Sequence, residues 1–128
     1  MPAPASATYS AEAKVEAHTA LRNLIDTGSN GLVRIRNSAD ALLWEGAMSD
    51  PCGTVNGSTG QLTITMSTNP NATTTGTAAY GELCESDGTV HLSLPVETGT
   101  SPVSGKLVLN TLSIVSGAPV TMVSITIG

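Results

Sequence analysis

The sequence predicts a mainly β protein: a jelly-roll-like antiparallel β-sandwich of about eight short strands, preceded by one N-terminal helix. Three observations carry that prediction. From Gly31 onward, apolar residues alternate with polar ones at a period of two. The alternating runs are short, and Gly, Pro, Asn and Asp clusters separate them at regular spacing, as in sandwiches and jelly rolls. Thr and Ser, at 18 and 14 of 128 residues, supply most of the polar positions. Thr is β-branched, favours strands and puts a small hydroxyl on the wet face.

The elements follow in order. Residues 1–9 read as an extended arm, because Pro2 and Pro4 disfavour helix and the Ala and Ser residues offer nothing to a core. Residues 10–128 read as one domain, a size at which single domains are common. Its helix spans 10–27. Ser10 is the N-cap and Glu12 complements the positive end of the dipole. Val15, His18, Leu21, Leu24 and Ile25 form the apolar stripe, and Gly28 takes the left-handed position after the last turn.

Strands are expected at 32–37, with Val33 and Ile35 opposed to Arg34 and Arg36, and at 42–48, with Leu42, Trp44 and Met48 on one face. Asp50-Pro-Cys-Gly53 reads as a turn. Residues 61–67 follow, with Leu62, Ile64 and Met66 inward. The polar stretch 68–77 reads as a loop longer than a hairpin needs, and long loops are often functional. Residues 78–85 and 90–96 read as a hairpin around Ser86-Asp-Gly-Thr89. Within it, Val90, Leu92, Leu94 and Val96 oppose His91 and Ser93. Residues 97–105 are a loop. A strand at 106–115, broken near Asn110, and a closing strand at 120–127 complete the chain. With no Phe, the core is filled by Leu, Ile, Val, Met and Ala.

Composition narrows the function classes. Charged residues are 12% of the chain, against about 25% in ordinary globular proteins. The net charge is −5, with two Lys and three Arg, too few for the basic stripe that nucleic acid requires. Arg34 and Arg36 are the only basic pair close together and read as a salt-bridged strand face. No apolar run reaches the ~18 residues of a membrane span. The first nine residues lack the cationic start and apolar core of a secretory signal, so the expected setting is a cytoplasm. There Cys52 and Cys84 are expected as free thiols.

Chemistry-bearing motifs are scarce. His18 lies in Lys14-Val-Glu-Ala-His18, which lacks the second His of a helical zinc motif and reads as a helix-face residue. His91 reads as a surface or interface residue. Cys84 and His91 flank one hairpin without a third orienting group, and Cys52 and Cys84 are not a Cys-x-x-Cys pair. Asp87-Gly88 supplies turn geometry before it supplies a cation ligand. No catalytic, cofactor or metal residue is assigned, and an enzyme is not expected. Trp44 and Tyr80 are the residues a sugar-stacking platform would use, although Trp44 shares its face with core residues.

From Leu24 to Ile127 the order of features resembles small structural proteins of tailed bacteriophages. The carriers are the helix end and Gly28 before Leu32-Val-Arg-Ile-Arg36, Gly76-Thr-Ala-Ala-Tyr80 opening the hairpin, Ser86-Asp-Gly-Thr89 at its turn, and the closing 114–127. Gly81 departs from the pattern, which tends to carry a bulky residue there. The resemblance implies a virion protein with a jelly-roll-like fold, acting as a capsid cement (decoration) protein on the capsid exterior and assembled in the bacterial host cytoplasm. Its implied partners are the major capsid protein and further copies of itself, as a homodimer or homotrimer. No nucleic acid, membrane, small-molecule substrate or cofactor is implied. A tail, fibre or baseplate component is the alternative, and a carbohydrate-binding module a further one. Interface residues are expected on the arm (Pro2, Pro4, Tyr9), on the loop at 68–77 (Asn69, Pro70, Asn71, Thr74) and around the loop at 97–105 (Thr98, Pro102). Short side chains suit such a role, because immobilising a long charged side chain costs up to ~1.5–2 kcal/mol.

Overall fold

The computed structural model of the chain describes residues 9–128. Pro2 and Pro4 therefore lie outside the described residues. Helix α1 spans Ala11–Ile25, and its N-cap Ser10 accepts a hydrogen bond from the Ala13 amide at 3.1 Å. That bond satisfies one of the orphan donors at a helix start. Ile25 is fully buried and Leu21 packs on the core, but Leu24 is 50% exposed. The expected stripe therefore narrows: the helix lies on the sheet by one edge, and Leu24 falls on the other side. Gly28 takes φ +86°, the left-handed conformation predicted for it.

Among the described residues nine strands follow: β1 Leu32–Arg36, β2 Leu42–Val55, β3 Leu62–Met66, β4 Gly76–Thr77, β5 Tyr80–Cys84, β6 Val90–Thr98, β7 Leu107–Leu109, β8 Ser113–Ile114 and β9 Thr126–Ile127. Seven form one curled sheet in the order β7-β6-β5-β1-β2-β3-β9, and β4 pairs with β8 in a small second sheet. All pairs are antiparallel except β6–β7, which is parallel. The architecture is mainly β with one N-terminal helix, consistent with a jelly-roll-like sandwich.

Strand β2 corrects the sequence reading. Asp50-Pro-Cys-Gly53 does not end it. Met48 pairs with Met66 and Gly53 with Ile64, so residues 49–52 of β2 stand opposite Thr65 alone. The Asp50–Pro51 peptide is cis. The turn chemistry is spent on a wide bulge that bends the strand toward the helix end. There the Cys52 amide donates to Asp26 Oδ1 at 2.9 Å. The β5–β6 hairpin turns through residues 86–88, with Gly88 at φ +92° and a Gly88 N–H to Glu85 O bond. This is a type I turn with a glycine bulge, one residue longer than an Asp-Gly two-residue turn.

The closing segment is also divided. The Val123 amide donates to Val108 O, and Thr121 O accepts from Asn110. Further on, the Ile64 amide donates to Ile125 O, and β9 pairs with β3. Residues 121–127 thus bond to β7 at one edge of the curled sheet and, as β9 beside β3, form the other, and so bring its two edges together. Inside lie Val33, Ile35, Trp44, Met48, Leu62, Leu83, Leu107 and Ile125, all essentially solvent-free. Leu, Ile, Val and Met with one Trp do fill a core without Phe.

Candidate functional site

Charge is distributed unevenly along the chain. No Asp, Glu, Lys or Arg occurs from Pro51 to Gly81, from Thr98 to Gly105, or from Leu107 to Gly128. The fold joins the first and last of these stretches into one body. β3 pairs with β9 and β4 with β8. The Ala72 amide donates to Ala118 O, the Gly117 amide to Ala72 O, and the Ala78 amide to Leu112 O. Ser116 Oγ donates to Thr73 O at 3.2 Å, and its amide donates to Thr75 Oγ1 at 3.0 Å. The exposed surface of this body is Ser, Thr, Asn, Pro and Gly, with Ala79 and the 52% exposed Val115 among them.

The stretch at 68–77 is therefore not a free loop. Ala72 is buried, and the Thr73 amide reaches Leu43 O. Trp44 Nε1 donates to Pro70 O at 2.7 Å, so the one indole of the chain anchors the segment from below. Trp44 is fully buried, as its predicted face required, and its ring is out of reach of a stacking sugar. Tyr80 is half-buried, and its hydroxyl donates to Asp40 Oδ1 at 2.9 Å, which raises the phenol pKa.

Asn69, Pro70, Asn71 and Thr74 all lie exposed on this charge-free body. Thr98 ends β6, opposite Leu109 of β7, and Pro102 sits in the β6–β7 connection; both are exposed. Tyr9 precedes the helix and is 76% exposed. The structure thus gathers four of the expected interface residues in one segment. Among the described residues, no hydrogen bond ties that segment to Tyr9, Thr98 or Pro102.

Four charged residues, Arg34, Arg36, Glu45 and Glu82, form a separate face across β2, β1 and β5. Arg34 pairs in register with Glu45 and Glu82 on its two neighbours. Its Nε bonds Glu45 Oε2 at 2.6 Å, while Arg36 Nε bonds Glu82 Oε1 at 2.5 Å. Glu82 is only 8% exposed. The Glu82 hydrogen bond raises the Arg36 pKa, against an opposing effect of burial. The sequence reading of Arg34 and Arg36 as a salt-bridged strand face holds. The hairpin turn covers part of this face, with Gly88 close against the Arg34 guanidinium. The Asp87 carboxyl is held below its usual range because the Thr89 amide donates to it at 2.9 Å.

The remaining singled-out side chains have structural partners. His18 Nδ1 donates to Gly60 O at 2.5 Å, pinning the helix to the β2–β3 turn. His91 Nε2 meets Glu85 Oε1 at 2.7 Å, not Cys84. Both cysteines are free and buried. Burial, with Asp26 adjacent, pushes the Cys52 thiol up to about 12; burial also raises that of Cys84. Among the described residues no three His, Cys, Asp or Glu side chains gather as a metal-ligand group.

Sequence reasoning registered the low charge but missed its segregation. The signal was present in the gap from Pro51 to Gly81 and in the neutral run after Lys106. That these two stretches meet is a property of topology, which no local pattern contains. No family model matches the chain, and neither a curated protein nor a solved structure matches it.

Proposed function

We propose that the protein is a structural component of a tailed-phage particle, a cement protein that binds the capsid shell through its charge-free body. The observation that carries this reading is the neutral surface built from 51–81 and 107–128, whose segments are already hydrogen-bonded to one another. Interface cores are depleted in charge. Short hydroxyl side chains on a pre-bonded backbone lose little entropy when covered, whereas long charged side chains lose up to ~2 kcal/mol each. Asn69, Asn71 and Thr74 offer such a surface in one segment. The phage assignment within this reading rests on the resemblance of residues 24–127.

The test is stoichiometric co-purification with capsids of the particle that encodes the chain. Capsids lacking it are expected to break at lower temperature or milder osmotic shock. Placing charge on the body with Asn71→Lys and Thr74→Lys is expected to lower capsid occupancy while the free protein stays folded. Unchanged capsid stability without the protein overturns the cement role. Label confined to the tail moves the protein to a tail, fibre or baseplate position.

A further inference from the structure

The chain contains two Asn-Gly pairs, Asn30-Gly31 and Asn56-Gly57. Such a pair is chemically labile. A backbone amide nitrogen attacks the side-chain carbonyl carbon of the asparagine before it, and glycine obstructs this least, having no side chain and a wide range of backbone angles. At the other asparagines the next residue carries a side chain, and Pro70 after Asn69 has no N–H with which to attack.

The fold treats the two pairs oppositely. Asn30 Nδ2 donates to Met48 O at 2.8 Å. Gly31 O accepts from the Met48 amide at 2.8 Å. Gly31 is buried, and a Cβ there would run into Ile25, Cys84 O and Met48 Cε. The group that must leave and the residue that must attack are thus both held against β2. Asn56 lies instead in the turn between β2 and β3, where residues 56–59 are all exposed. Its Oδ1 accepts from the Ser58 amide at 2.8 Å and from the Thr59 amide at 3.1 Å. Those two N–H groups polarise the side-chain carbonyl and draw electron density from Cγ, the atom under attack. They also stand where negative charge develops on the oxygen during attack, as paired backbone amides do in an oxyanion hole.

We propose that Asn56-Gly57 is a site of spontaneous deamidation in the folded protein and that Asn30-Gly31 is protected by the fold. The Gly57 nitrogen bonds to Asn56 Cγ and the Cγ–Nδ2 bond breaks. Nδ2 leaves as ammonia, taking the proton of the Gly57 amide. Water then opens the succinimide, its proton returning to the Gly57 nitrogen. Addition at Cγ gives an ordinary aspartate. Addition at the backbone carbonyl of residue 56 gives an isoaspartate, whose main chain is one methylene longer. Either product puts a negative charge within the first charge-free stretch, 51–81. The isoaspartate also reshapes the turn. The Gly60 amide donates to Asn56 O at 2.7 Å, and Gly60 O accepts from His18 Nδ1. Displacing the carbonyl of residue 56 slackens the turn to which the helix is pinned. This inference is independent of the capsid reading.

Incubation of the full chain at mildly alkaline pH, followed by peptide mass spectrometry, tests it, because alkali deprotonates the attacking amide. In the folded protein Asn56 is expected to convert at least about ten-fold faster than Asn30, with isoaspartate among the products. In denaturant the two rates are expected to converge. Gly57→Ala, at a glycine whose φ is not positive, is expected to slow conversion at position 56 at least about ten-fold and to leave Asn30 unchanged. Equal rates at the two sites in the folded protein overturn the proposal, as does conversion of Asn56 only after denaturation or at an undiminished rate in Gly57→Ala. Rates that stay apart in denaturant overturn protection of Asn30 by the fold.

Discussion

Replacing Gly46 by Ala tests the packing that holds the neutral segment over the core. Trp44 and Gly46 are two residues apart on β2, so their side chains share a face, and the indole lies across the glycine. A methyl at position 46 would sit 2.7 Å from Trp44 Cζ2 and closer still to Cη2. Carbon contacts are favourable at about 3.5–4.0 Å, so the ring must retreat by roughly 1 Å. Overpacking of this kind costs about 1–3 kcal/mol. The retreat also pulls Nε1 from Pro70 O, a hydrogen bond worth roughly 0.5–1.5 kcal/mol. Ala restricts the unfolded chain more than Gly and offsets about 0.4–1 kcal/mol. The expected net loss is about 2 kcal/mol, read as a lower urea midpoint by circular dichroism at unchanged m-value. The clashing atoms belong to the benzo ring that Phe lacks. Glycine-to-alanine in a Trp44→Phe background should therefore cost less than about 1 kcal/mol, which exposes the coupling in a double-mutant cycle. A Gly46→Ala protein within about 0.5 kcal/mol of the parent, or an equal cost in both backgrounds, refutes the packing argument.

Other substitutions probe the charged face and the thiols. Glu82→Ala strips the carboxylate from a half-buried Arg36 and is expected to cost about 2–3 kcal/mol. Glu45→Ala, at the more exposed Arg34 pair, should cost less than about 1 kcal/mol in the same urea titration. Equal losses would show that burial does not distinguish the two pairs. Cys52 has a folded pKa raised to about 12. Its stabilising effect is therefore complete below the unfolded-thiol pKa near 9 and is lost as pH rises toward 12. Cys52→Ala should flatten the fall of stability above about pH 9, and native Cys52 should resist thiol reagents at pH 8 until the protein is unfolded. Rapid native labelling would contradict its burial.

Local chemistry made much of the fold readable. The Ser10 cap, the alternation of Val33 with Ile35, and the alternation of Leu62 with Ile64 each appear where side-chain period and capping place them. The break foreseen near Asn110 separates β7 from β8. Misreadings occurred where distant partners override local signals. Asp50-Pro-Cys-Gly53 has turn composition, yet Asp26 at the helix C-cap and Ile64 on β3 hold it as a bulged strand. Residues 68–77 have loop composition, yet Trp44, Ala118 and Ser116 stitch them into place. The candidate surface was half legible. Asn69, Pro70, Asn71 and Thr74 could be singled out from polarity alone. Their union with 111–118 depends on contacts across some forty residues of sequence, such as Thr75 with Ser116.

The segregation of charge also makes the molecule electrically lopsided. Its net charge of −5 comes from residues outside the neutral stretches. The paired charges on β1, β2 and β5 cancel, so the −5 rests on the helix with its C-cap, Asp40, Asp50, Glu85 and Asp87. Two free molecules approaching by those parts repel over about one Debye length, some 10 Å in 0.1 M salt. Approach by the neutral bodies meets no comparable barrier. The charge pattern therefore orients encounters without contributing to the contact itself. Raising the salt concentration should loosen that orientation while leaving any contact made by the neutral body largely intact.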